Sequence, residues 1–103
     1  MRHGTLTATW AALLIAGSAP SWAQAPLAAQ GCVGCHGQAG AGSQPIPPLA
    51  GRPKADIEAS MQAFRKNERP ASIMGRIARG YTDAEIAAVA AFFAAQKPPG
   101  ASR

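Results

Sequence analysis

Apolar residues recur at helical spacing in two stripes of the chain's second half, and gather into one nearly unbroken run close to its start. In "RPKADIEASMQAFRKNERP", Ile57, Met61 and Phe64 follow one another at intervals of four and three, which places them on one helix face. Pro53 suits a first helical turn, Asp56 and Glu58 come early, and Arg65 and Lys66 come late, as the helix dipole favours. With Pro70 beyond its end, this segment predicts a helix over about 54–67. In "YTDAEIAAVAAFFAAQKPPG", Thr82 stands as N-cap with Glu85 three residues on, the spacing of a capping box. Ile86, Val89, Ala90 and Phe93 then form the buried face, and Lys97 precedes a stop at Pro98 and Pro99. Between the two helices, "RPASIMGRIARG" reads as a short irregular stretch. Ahead of them, "GQAGAGSQPIPPLAG" (37–51) is rich in glycine, proline and serine, the composition of a loop that wraps something. No run alternates β-branched or aromatic residues with polar ones, so no strand is expected and the fold class is all-α.

The apolar run near the start has a different meaning. Arg2 precedes an apolar stretch from Ala8 to Ala16, followed by Ser21-Trp22-Ala23, with small residues at the two positions a signal peptidase reads. Residues 1–23 are expected to be a signal peptide cleaved after Ala23, since a cut after Ala25 would place Pro26 next to the scissile bond. The apolar core is well short of the roughly 20 residues that span a bilayer. No cysteine lies near the cut to carry a lipid, so no membrane anchor is expected. The mature chain would be 24–103, periplasmic, with His36 as its single histidine and a net charge of +4 after Arg2 is lost from a chain of +5. That charge, without clustered Arg/Lys runs or interleaved aromatics, argues against nucleic acid. It favours an acidic protein partner.

An exported domain of this size has too small a core to be secure without a staple. The two cysteines, Cys32 and Cys35 in "GCVGCHG", would close only a tiny loop if bonded to each other, which restrains little of the unfolded chain. Three readings of the pair compete. A thioredoxin-like dithiol belongs at a helix start among alternating strands and helices, which this chain lacks. A structural zinc site wants four ligands, whereas Cys32, Cys35 and His36 supply three, two of them adjacent. The third reading is covalent haem attachment, whose signature is Cys-x-x-Cys-His. Cysteines three apart lie about one helical turn apart on one side of the backbone. They can form thioethers with two vinyl groups on one side of a haem. His36 is then carried over the ring face as proximal iron ligand. Gly31, Gly34 and Gly37 allow close approach of the porphyrin. Export, which such attachment requires, and the use of both cysteines favour this reading.

With these residues the chain resembles the class I c-type cytochromes, small all-α electron carriers with the haem motif near the mature N-terminus. The resemblance implies about three to four helices wrapped around one haem c, a single mono-haem domain over 24–103. It implies that "IPPLAG" continues the site, with the carbonyl of Pro47 orienting His36 and Leu49 packing on the haem. It further implies an N-terminal helix near 26–34 crossed by the C-terminal helix, with Phe92 or Phe93 against Ala28 or Gly31.

A haem iron with one histidine wants a sixth ligand, and methionine is the usual partner in such carriers. Two methionines remain after export. Met61 lies on the apolar stripe of a helix, where core filling accounts for it. Met74 falls in the irregular stretch, where a thioether can be aimed at iron without breaking helix packing, so the expected metal ligands are His36 and Met74. An open sixth position is the alternative, and would suit a haem enzyme or gas sensor instead. Two axial ligands favour electron transfer over catalysis, and nothing resembles a nucleophile, a carboxylate pair or a phosphate loop.

The run "AFRKNERPASIMGRIARGYTDAEIAAVAAFFAAQ" (63–96) is also similar to the cytochrome subunit of flavocytochrome c sulfide dehydrogenase. That resemblance implies a flavoprotein sulfide dehydrogenase subunit as electron donor, the alternative being a free carrier that meets several redox proteins. Arg52, Lys54, Arg65, Lys66, Arg69, Arg76 and Arg79 are candidates for a docking rim, although at least half of such charges are ordinarily plain solvated surface.

Overall fold

The computed structural model describes Gly17 and residues 25–100. Four α-helices follow in order: α1 (Leu27–His36), α2 (Lys54–Arg65), α3 (Met74–Ala78) and α4 (Asp83–Ala94). A single 3-10 turn, Gln38–Gly40, follows α1. Among the described residues the only β pairing is an isolated bridge between Ser43 and Ile46, so the protein is all-α. The expected leader, 1–23, lies outside the described residues.

The best-specified helix is α4. Thr82 Oγ1 accepts from the Glu85 amide at 3.2 Å, and Glu85 Oε1 accepts from the Thr82 amide at 3.0 Å. The capping box is therefore closed from both sides. Ile86, Val89, Ala90 and Phe93 are all buried, as their spacing requires. In α2 the apolar stripe is also correct: Ile57 and Met61 are buried and Phe64 is half-buried. Pro53 is the N-cap residue rather than a member of the first turn. The helix ends at Arg65, two residues early, because Asn67 adopts a positive φ of 58° that no helix continues through.

Two clusters make the core. The first joins Ala29 of α1, Ile57 of α2, and Val89, Ala90 and Phe93 of α4. The second joins Met61, Ala78 and Ile86 from α2, α3 and α4. Full burial of Ala29 and Ala90 lets α1 and α4 approach closely, because neither side chain extends beyond a methyl. The expected pairing of Phe92 or Phe93 with Ala28 or Gly31 of α1 is met at Ala28. Phe93 shares the first cluster with Ala29, and Ala28 and Phe92 pack against it. Gly31 faces Tyr81 instead, where a Cβ would lie 3.0 Å from the hydroxyl. The glycine that admits Phe93 is Gly40, whose absent Cβ would fall 2.6 Å from the Phe93 ring.

The segment expected to be irregular contains α3, and Met74 is its first residue. The sequence hides this helix because five residues are too few to show a period. It closes through Ile77 N–H to Ile73 O at 3.1 Å, and packs Ala78 into the core.

Candidate functional site

α1 carries three residues of the motif on its last turns. Cys32 is half-buried, Cys35 is exposed, and His36 is the final helical residue. No disulfide joins the two cysteines. They lie in the helix's second half, whereas a dithiol of the thioredoxin kind sits at a helix start. Among the described residues no three His, Cys, Asp or Glu side chains converge on a common point, which leaves the zinc reading without a fourth ligand. Burial pushes the Cys32 thiol up, and the Tyr81 hydroxyl beside it partly offsets this.

His36 is buried, at 8 % exposure, and its Nδ1 lies 2.8 Å from the carbonyl oxygen of Pro47. A carbonyl only accepts, so Nδ1 bears a proton, and in the neutral ring the lone pair lies on Nε2, where a metal could bind. The loop is folded to make this contact. Gly42 N–H donates to His36 O at 2.6 Å, and the amides of Leu49 and Ala50 both donate to Gly40 O. Gly51 N–H donates to Phe93 O at 2.9 Å, fastening the loop's end to α4. Gly42 makes the fold-back possible: its φ is +73°, and a Cβ there would lie 2.5 Å from the Pro48 nitrogen. Leu49 is half-buried and packs on the first cluster, as does Cys32.

Met74 is half-buried and packs on the second cluster with Met61, Ala78 and Ile86. It therefore belongs to a different part of the core from Cys32 and Leu49. Met61 is buried inside that second cluster.

The basic residues divide into two groups. Arg65 donates to Tyr81 O at 3.1 Å and to Gln62, and forms an ion pair with Asp83 at the start of α4. Arg69 donates to Ser60 Oγ and stacks 4.8 Å above the Phe64 ring. Lys54 pairs with Glu58 one turn on. Arg52, Lys66, Arg76 and Arg79 form no ion pair among the described residues. Of these, Arg76 and Arg79 are exposed on or directly after α3, beside the exposed Ile73.

An open groove between α2 and α4, lined by Ala55, Glu58, Gln62 and Asp83 among others, contains none of the motif residues. Its carboxylates are solvated, and it plays no part in the site.

Tyr81 did not emerge from the sequence as a site residue. A trace of it was there: Tyr81 directly precedes the N-cap Thr82, and Ile86 lies at the fourth helical position, the spacing of a hydrophobic staple.

The residues present suit a covalently held c-type haem. Two cysteines not joined by a disulfide stand one helical turn apart, and the adjoining imidazole is held at Nδ1. Comparison with known proteins agrees. The family model for cytochrome c matches residues 23–97. The chain is 40 % identical over 62 residues to the cytochrome subunit of sulfide dehydrogenase from Chlorobaculum tepidum, covering 60 % of this chain and 56 % of that protein. It is 34 % identical over 102 residues to a thiosulfate dehydrogenase electron acceptor from Thiomonas intermedia, covering 97 % and 46 %. Cytochrome c-554(548) of Halomonas halodenitrificans is 39 % identical over 70 residues, covering 64 % and 84 %. The chain thus spans about half the length of the first two of these relatives.

Proposed function

The chain belongs to the cytochrome c family and carries a c-type haem for electron transfer, and on that footing we propose that it is a periplasmic mono-haem carrier with His36 and Met74 as axial ligands. Cys32 and Cys35 hold the haem by thioethers, and Leu49 packs against it. When bound, the haem supplies a one-electron ferric–ferrous couple. The chain's own residues decide how that couple is used. Pro47 O fixes the orientation of the His36 ring and the tautomer whose Nε2 lone pair would bind iron. Met74 supplies a soft thioether, which favours the ferrous state. Apolar packing from Leu49 and the two clusters keeps water away, so little has to rearrange when charge changes.

The observation that carries this reading is the 2.8 Å contact between His36 Nδ1 and Pro47 O, made by a histidine directly after Cys-x-x-Cys. The proposed donor is the flavoprotein subunit of a sulfide dehydrogenase, supported by the likeness to the Chlorobaculum tepidum subunit. A free carrier serving several redox proteins is the alternative, supported by the likeness to thiosulfate dehydrogenase electron acceptors. The leader over 1–23, cleaved after Ala23, is the proposed route of export.

Expression in a periplasm competent for c-type haem assembly tests the first part. A haem-staining band that survives acid-acetone extraction is expected, and a colourless protein with two titratable thiols would refute it. Purification from native extract tests the partner. Stable association with a flavoprotein, and haem reduction by sulfide only when both are present, supports the subunit reading. Elution alone, with reduction no faster when the flavoprotein is added, leaves the free carrier.

A further inference from the structure

Among the described residues, Tyr81 is the one partly buried hydrophobic side chain that packs on both core clusters. Its hydroxyl donates to Ala28 O in α1 at 2.9 Å. Its amide donates to Ala78 O at 3.2 Å, closing the turn after α3. Its carbonyl accepts from Arg65 at the end of α2. One residue therefore touches the helix that carries Cys32, Cys35 and His36, and the short helix that begins with Met74.

The bond to Ala28 is not needed to satisfy α1. In a regular helix that carbonyl already accepts from the amide four residues on, and its second lone pair is normally left to solvent. The contact is also specifically accommodated. Gly31 lies under the hydroxyl, and any larger residue would bring a Cβ to 3.0 Å from it. An optional hydrogen bond in a prepared space, joining parts 53 residues apart in sequence, has its effect on how those two parts are held together.

We propose that Tyr81 is a positioning residue for the iron's sixth ligand: its hydroxyl clamps α1 to the segment that bears Met74, and so slows release of the Met74 thioether. The inference rests on the reading of Met74 as that ligand. Opening of the 74–81 segment must break the Ala28 bond, so its loss favours the open state. A net hydrogen bond of ordinary strength corresponds to about a fivefold change in that equilibrium.

The test uses the ferric holoprotein and exogenous imidazole. Methionine ligation gives a weak charge-transfer band in the near infrared, and imidazole abolishes it by replacing the thioether. At saturating imidazole the rate reports opening of the methionine segment. Tyr81→Phe keeps the ring in both clusters and removes only the donor. It should raise the limiting rate about fivefold. Val89→Ala removes buried methyls from the first cluster and leaves the hydroxyl in place, so it reports a general loosening of the core and should raise the rate less than Tyr81→Phe. Equal rates for Tyr81→Phe and the unmodified protein overturn the clamp, and so do equal accelerations in both variants. A band missing from the unmodified protein refutes Met74 as ligand and the clamp with it, whereas a band with an unaltered Tyr81→Phe rate refutes the clamp alone. If Tyr81→Phe does not accumulate folded, Gly31→Ala, which crowds the same hydroxyl, is read in the same assay. Acceleration supports the clamp there, and an unchanged rate overturns it.

Discussion

The imidazole of His36 and the carbonyl of Pro47 meet at 2.8 Å although they lie eleven positions apart in sequence. The loop between them turns back through Gly42, which takes a φ that L side chains rarely adopt and has no Cβ to meet Pro48. Gly42→Ala should therefore cost about 1–3 kcal/mol of holoprotein stability, the scale of a strained left-handed residue. Urea unfolding followed by haem absorbance measures it. Ser43→Ala, at an exposed neighbour, should stay within about 0.5 kcal/mol.

Met74→Ala should abolish the near-infrared methionine band and let carbon monoxide bind the ferrous protein rapidly. Met61→Leu should do neither, since it exchanges one buried apolar side chain for another of similar volume. Optical spectra of the two variants decide the ligand. Loss of the band in Met61→Leu and its retention in Met74→Ala would reverse the assignment.

Hydrogen bonds from Arg65 and Gln62, with the Arg65 charge, hold the Asp83 carboxyl below the usual carboxylate range. A depressed pKa in the folded state means that the unfolded chain binds the proton first. The pair's contribution is complete above the ordinary value of about 4, and is lost as pH falls through the lower folded value. Asp83→Asn should lower stability slightly above about pH 4 and converge with the unmodified protein as pH falls below it, so that the acid limb becomes shallower; the difference is small because the carboxylate is exposed. Denaturant midpoints across that pH range provide the measurement.

The proposed docking face centres on Arg76 and Arg79, with Ile73 exposed beside them and no ion pair to either arginine among the described residues. Reversing both charges to Glu should slow electron exchange with an acidic redox partner on the order of tenfold at low ionic strength. The difference should shrink as salt is added, because the contribution lies in encounter rate. Stopped-flow traces at several salt concentrations test this. Arg65→Glu is expected to act otherwise, by weakening the α2–α4 junction whatever the partner.

What the sequence showed depended on period and on punctuation. The buried face of α4, its capping box and the stripe of α2 were legible because each repeats or brackets something at a fixed spacing. The motif of Cys32, Cys35 and His36 was legible for the same reason. α3 was not, since Met74–Ala78 is too short to complete a repeat. Nor was the role of Tyr81, whose partner Ala28 acts through its backbone and leaves no mark on residue type. Gly31 and Gly40 were indistinguishable as letters. Only the fold reveals that one makes room for Tyr81 and the other for Phe93.

α1 has no side-chain cap at its start, two internal glycines, and only Ala29 and His36 buried. A ten-residue helix of that kind cannot persist alone in water, where about 12–15 residues are marginal even for good helix formers. Before α4 and Tyr81 dock on it, the stretch around Cys32 is an open ribbon; once they have docked, Cys32 is half-covered. Cys32 is therefore more open to a reacting vinyl group before the helices dock than after, whereas Cys35 stays exposed throughout.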